Sequence, residues 1–295
     1  MSNTTLDSTY SQLENALVSE ILGGRKLAVI QAPPGSGKTH MLLAVVAKLV
    51  AEGKCGALAA QTNRQADDIA RRWARDFPNL PATRLGSSTS IRPDGFPLNV
   101  LWETKSANLV EAPGLFISTT AKWTTVRDPL NFDLLAVDEA WQMSWADLMQ
   151  CATLSKCYYL IGDPGQIPPV ITIDIRRWQT APRPPHKAAP EVVLGDPDLL
   201  KDAFIGALPA CRRLPNESVE FVKPFYNFDF EAYAKPAERR IEFTGLTSTN
   251  RFFGALEALK TFQPVVLTLP TPADGPAMEV DIEIAKCVAD YVSTL

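Results

Sequence analysis

The sequence contains no run approaching the roughly 18 consecutive apolar residues that a membrane-spanning helix needs, so no membrane partner is expected. Its first residues, Met1-Ser-Asn-Thr-Thr-Leu-Asp7, lack the charged and apolar regions of a signal peptide, which predicts a cytoplasmic location. Cysteine is sparse and scattered. Cys55, Cys151, Cys157, Cys211 and Cys287 form an odd set with no C-x-x-C pair, which argues against both a disulfide framework and a zinc site. There is no surplus of positive charge either. With 29 Lys and Arg against 33 Asp and Glu, the net charge of −4 does not advertise a nucleic-acid binder, although a local groove can be basic on an acidic protein. No internal repeat is present.

The 295 residues, 46% hydrophobic and 21% charged, suffice for a core of ordinary size and for more than one domain. Through the first half, short apolar runs alternate with helical patterns. Leu27–Ile30, Gly56–Ala60, Leu115–Thr119, Leu134–Val137 and Cys157–Ile161 are brief, apolar and bounded by turn or charged residues, as buried parallel strands should be. Between them Lys38–Ala51 reads as a helix with Gly53 as its stop, and Thr62-x-x-Gln65 resembles a capping box that opens a helix toward Trp73. This β-α-β alternation predicts an α/β fold, a parallel sheet with helices on both faces. The stretches 77–113 and 171–197, rich in turn residues, interrupt the rhythm and are expected as small insertions.

Three motifs sit at the ends of the predicted strands. Ala32-Pro-Pro-Gly-Ser-Gly-Lys-Thr39 follows a strand and opens a helix, the context a phosphate-binding loop requires. Its glycines let main-chain N–H groups turn inward, and the helix presents its positive end to the phosphates. Pro34, Gly35, Ser36, Gly37, Lys38, Thr39 and His40 are therefore the expected ATP contacts, with the Thr39 hydroxyl on Mg2+. Ala32 stands where a first glycine is usual, which raises the question of whether that residue needs a positive φ. Leu134–Val137 runs into Asp138-Glu139, placing two carboxylates at the carboxyl end of a buried strand. Asp138 suits the Mg2+ shell, and Glu139 suits the water that attacks the γ-phosphate. A third strand end carries Gly162-Asp-Pro-Gly-Gln166-Ile-Pro-Pro169, whose Asp163 and Gln166 are placed to reach the γ-phosphate side of a nucleotide and report on it; the plainer alternative is a proline-rich turn with Asp and Gln capping backbone groups.

Taken together, A-P-P-G-S-G-K-T, D-E-A-W-Q and G-D-P-G-Q-I-P-P resemble motifs I, II and III of the Upf1-like group of superfamily 1 helicases, in order and in spacing. Gln61–Asp68 and Ser118–Thr120 resemble the family segments that touch the nucleic-acid backbone. Gln12 stands where the family keeps a glutamine that reads adenine. Leu208–Pro215, with Phe225-Tyr226, is similar to family motif IV, whose arginine reaches the γ-phosphate; Arg213 fits best and Arg212 second. The resemblance implies a first RecA-like ATPase domain over 1–205 and part of a second over 206–295. Family motifs V and VI find no match, and 264–269 and 281–295 read as a strand and an amphipathic helix. The implied function is ATP hydrolysis by a translocase on single-stranded DNA or RNA. A nucleotide switch that binds a protein partner, and a small-molecule kinase, are the other classes considered. Trp73, Trp102, Trp123 and Trp178 are available for base stacking but are expected mainly in the core.

Overall fold

The computed structural model describes residues 2–110, 112–127, 130–239, 248–260 and 282–293. Eight strands, β1 (Leu27–Gln31), β2 (Cys55–Ala60), β3 (Ala82–Leu85), β4 (Val100–Glu103), β5 (Gly114–Thr119), β6 (Leu134–Val137), β7 (Tyr158–Gly162) and β8 (Ala203–Ala207), form one parallel sheet. The order is β4-β3-β5-β2-β6-β7-β1-β8. Burial on both faces explains why the central strands read as continuous apolar runs rather than alternating ones: all six residues of β2 and all six of β5 are buried.

Helices α1 (Asn3–Leu22), α2 (Lys38–Ala51) and α3 (Asn63–Asp76) contribute to the apolar layer on one face. Helices α4 (Thr120–Trp123), α5 (Trp145–Cys151) and α6 (Ala189–Gly195) contribute to the layer on the other, and α7 (Pro197–Leu200) leads into β8. The predicted bounds of α2 hold. It buries Met41, Leu42, Leu43, Val45, Val46 and Leu49, each worth roughly 1.5–3 kcal/mol on leaving water. The expected capping box opens α3: the Thr62 hydroxyl accepts from Gln65 N at 3.2 Å, and the Gln65 side chain accepts from Thr62 N at 3.0 Å.

The stretch 77–113 supplies β3 and β4 to the edge of this sheet, with β3 parallel to β5 through Ala82–Arg84. Two four-residue strands flanked by Pro81, Pro93 and Pro97 are too short to stand out in the sequence. The sheet also extends past residue 205, because β8 pairs with β1 over Ala203–Ala207. Beyond β8 a small unit forms from β9 (Ala210–Cys211), α8 (Asn216–Val222) and β10 (Glu231–Ala232), packed on Cys211, Val219 and Phe230. Two further helices are described, α9 (Phe253–Lys260) and α10 (Ile282–Val292). The expected helix at the end of the chain is thus present, with Ala285, Val288 and Val292 exposed; the strand expected over 264–269 lies outside the described residues. Among the described residues, no helix is long and apolar enough to cross a membrane.

Candidate nucleotide site

Three neighbouring strands, β6, β7 and β1, end on the same edge of the sheet, so the segments that follow them meet without any long-range reach. After β1 the chain makes the loop 32–37 and enters α2. Ala32 donates its N–H to Gly162 O at 2.8 Å, and it is absent from the positive-φ residues, so an alanine fits where a glycine is usual. The left-handed turn falls instead on Gly35 (φ 64°) and Gly37 (φ 89°), where a side chain would be strained. Gly37 is the residue that caps α2, which directs the free N–H groups of that helix toward the loop.

The carboxylates lie opposite. Thr39 Oγ1 donates to Asp138 Oδ2 at 3.0 Å, and Lys38 Nζ pairs with Glu139 Oε1 at 2.9 Å. Residues a hundred positions apart are thereby joined at two successive contacts. Asp138 is buried, and burial, then the charge of Glu139, pushes its carboxyl up to about 6 against the opposing pull of Thr39 and Lys38. Glu139 occupies left-handed backbone space (φ 53°, ψ 43°), which costs a non-glycine residue of order 1 kcal/mol or more and is concentrated at functional sites. Ser36 Oγ, Glu139 Oε2 and Gln166 Oε1 are buried with no hydrogen-bond partner. Unpaired buried polar atoms are expensive, and these three, one after each of β1, β6 and β7, mark the strand ends as a place shaped for a polar ligand.

These donors and acceptors fit a polyphosphate with a divalent cation. Among the described residues, no group of three or more His, Cys, Asp and Glu is placed to hold a metal unaided. Thr39 and Asp138 supply two oxygen ligands at most, so a hard cation here needs phosphate oxygens and water to complete its shell, as Mg2+ ordinarily does.

The small unit after β8 lies against this loop. Leu208 N donates to Gln31 O at 2.8 Å, Arg212 N donates to Gly35 O at 3.0 Å, and the Cys211 thiol donates to Pro34 O at 2.7 Å. A Cβ built on Gly35 would meet Arg213 Cβ at 2.1 Å, so Arg213 sits directly over the loop. Arg212 turns its side chain away. Its Nη2 bonds Asp7 at 2.6 Å, its guanidinium lies 4.3 Å from the Tyr233 ring, and Tyr233 donates to the same Asp7 at 3.0 Å. The bonds from Arg212 and Tyr233 hold the Asp7 carboxyl below its ordinary range. The structure therefore brings Arg213 to the phosphate loop and gives Arg212 to α1.

Other expected residues fare differently. Gln12 is on the exposed side of α1, while Leu6, Tyr10, Leu13 and Leu17 face inward; Tyr10 stacks on His40 at 6.3 Å. Ser118 is wholly buried with its hydroxyl on Leu85 O at 2.7 Å, and Thr119 caps α4, so these hydroxyls serve the backbone. Trp73 and Trp123 are core residues, their indole N–H groups bonded to Leu80 O and Leu58 O. Trp102 packs edge-on to Phe96, and Trp178 stacks under Arg177. Asp7, Tyr10 and Tyr233 were not singled out from the sequence, and Tyr226 entered only beside Phe225 in the likeness to motif IV. The apolar spacing of α1 could have placed Tyr10 inward, but the partners of Asp7 lie more than 200 residues away and leave no local signal.

A family model described as an AAA domain matches residues 15–172, more than half of the chain. The DNA replication ATP-dependent helicase/nuclease DNA2 of Saccharomyces cerevisiae is 24% identical over 182 residues, covering 58% of this chain and 12% of that protein. Its counterpart in Mus musculus is 29% identical over 164 residues, covering 52% and 15%. An uncharacterized ATP-dependent helicase of Methanocaldococcus jannaschii is 32% identical over 89 residues, covering 30% and 13%. The matched region thus amounts to less than a sixth of each of these relatives. Among solved structures, arterivirus nonstructural protein 10 (helicase) in complex with DNA aligns with a TM-score of 0.45 at 17% identity, covering 73% of this chain and 43% of that one. The helicase domain of Pyrococcus furiosus Hef aligns with a TM-score of 0.41 at 15% identity, covering 72% and 44%.

Proposed function

This chain belongs to the AAA domain family, and from that premise we propose that it binds and hydrolyses ATP with Mg2+ as the core of a superfamily 1 helicase-like motor on single-stranded nucleic acid. The observation that carries the reading is the double junction of Lys38 with Glu139 and Thr39 with Asp138 beside a loop turned by the left-handed Gly35 and Gly37. Lys38 takes the β- and γ-phosphates, and main-chain N–H groups of Gly35 to Thr39 wrap them. Thr39 and Asp138 would hold Mg2+, which would supply positive charge to offset that of the phosphates. Lys38 pairs with Glu139; a γ-phosphate that draws the ammonium to itself leaves Glu139 free to orient the attacking water. Gln166 faces the terminal phosphate, and Arg213, held over Gly35, offsets charge that builds up in the transition state.

The nucleic-acid half of the reading is supported by the curated relatives, each of which is named as an ATP-dependent helicase. ATPase rate, measured with and without saturating single-stranded DNA and RNA, tests both halves. Hydrolysis that rises severalfold with either polymer is the expected result. An unchanged rate with both would sink the motor reading, and no hydrolysis at all would sink the ATPase reading as well.

A further inference from the structure

The loop after β7 and the small unit after β8 share one contact that the scheme above leaves unused. Asp163, 5% exposed, accepts two hydrogen bonds on the same oxygen: Gly165 N at 2.8 Å and the Tyr226 hydroxyl at 2.9 Å. The turn is closed by Gln166 N on Asp163 O at 3.2 Å, so the carboxylate that takes the tyrosine also anchors the backbone that carries Gln166. There is no slack in this contact. A Cβ on Gly165 would lie 2.4 Å from the Tyr226 hydroxyl oxygen, so the phenol is seated on the turn itself.

Tyr226 is fixed from behind as well. Its ring meets Phe228 and Phe230 edge-on at 5.5 and 5.2 Å, and Phe230 is a core residue of the unit that contains Cys211. Burial, then the charge of Asp163, raises the phenol above its ordinary range, which keeps the hydroxyl protonated as a donor. Arg213 and Tyr226 therefore ride on one small body, one over the phosphate loop and the other on the turn of Gln166.

We propose that Tyr226 is a positioning residue of the nucleotide site: through Asp163 it holds Gln166 toward the γ-phosphate, and only while the unit bearing Arg213 is docked. This rests on the ATP-hydrolysis reading. The two γ-phosphate contacts are then set by a single docking event, rather than separately.

The test is Tyr226→Phe, which removes the hydroxyl and keeps the ring. Loss of one hydrogen bond to a charged group predicts a fall in kcat of about tenfold, with KM for ATP within about twofold and an almost unchanged melting temperature. A purely structural role would move stability and leave kcat alone. In a Gln166→Ala background the same substitution is expected to add nothing further, since its effect passes through Gln166. From the other side of the contact, Asp163→Ala should lose at least as much, while Asp163→Asn, which keeps an acceptor oxygen, should retain most of the rate. Wild-type kcat in Tyr226→Phe, or a full additional loss in the Gln166→Ala background, overturns the proposal. So does an Asp163→Asn variant as slow as Asp163→Ala. A wild-type protein that hydrolyses no ATP in the same assay overturns the parent reading and this one with it.

Discussion

Lys38 and Glu139 are bonded to each other, yet the proposed ATP reading gives them different tasks, and substitution separates them. Lys38→Ala removes the cation that meets the phosphates, and the loss of a charge-assisted bond of roughly 2–3 kcal/mol predicts ATP binding weaker by on the order of a hundredfold. Glu139→Gln keeps the shape and the main-chain cradle. Binding should stay within a few-fold of wild type while turnover falls by at least about a hundredfold, because only the carboxylate serves the attacking water. Equilibrium binding of a fluorescent nucleotide and single-turnover hydrolysis measure the two quantities apart, and equal loss of binding in both variants would contradict these roles. At this scale the sequence was informative about placement: type and spacing singled out Gly35 to Thr39 and Asp138-Glu139, and the fold brings the two segments into contact. It was silent on Arg212. A pair of adjacent arginines carries no mark of which side chain bends to Asp7 and which stays over Gly35, since that choice depends on a helix two hundred residues earlier.

Among the elements, α3 shows how a buried charge can set the aim of a helix. Arg84 on β3 is almost fully buried, with Nε on Asp67 at 2.8 Å, Nη2 on Asn63 at 2.9 Å and Nη1 on Leu85 O at 2.6 Å. Both Asn63 and Asp67 stand in the first turns of α3, so the guanidinium pins the start of the helix to the sheet edge. Removing one partner leaves the other charge desolvated. Asp67→Ala is expected to cost about 3 kcal/mol, seen as a lower denaturation midpoint in urea with little change in slope. A shift under about 1 kcal/mol would mean that the pair is solvated in practice. The capping box that opens α3 was readable from Thr62 and Gln65, because both halves lie within four residues. β3, by contrast, was read as part of an insertion. Its Arg84 looks like a surface charge until the edge strand, α3 and Trp102 close over it.

On the scale of the whole molecule, parallel order does most of the arranging. Placing β7 between β6 and β1 sets the three loops side by side, and joining β8 to β1 carries the following unit back to the phosphate loop. That return was the least legible part of the fold. β8 has a modest apolar run, and nothing in residues 203–207 states that its neighbour is β1 rather than a strand of a second sheet. Lengthening the connection offers a test: six Gly-Ser residues inserted after Leu208 should leave nucleotide binding near wild type and lower kcat by about tenfold or more, as the local concentration of the guanidinium falls. An undiminished kcat would show that Arg213 contributes nothing from its present position.

The hydrogen bond from Leu208 to Gln31 has a consequence for how far this chain can open. Arg213 lies only six positions after Ala207, which is fixed in the sheet. Even fully stretched those six steps span about 20 Å, so the Arg213 backbone is leashed within that radius of Ala207, and any departure from Gly35 and return to it are local events rather than searches through solution.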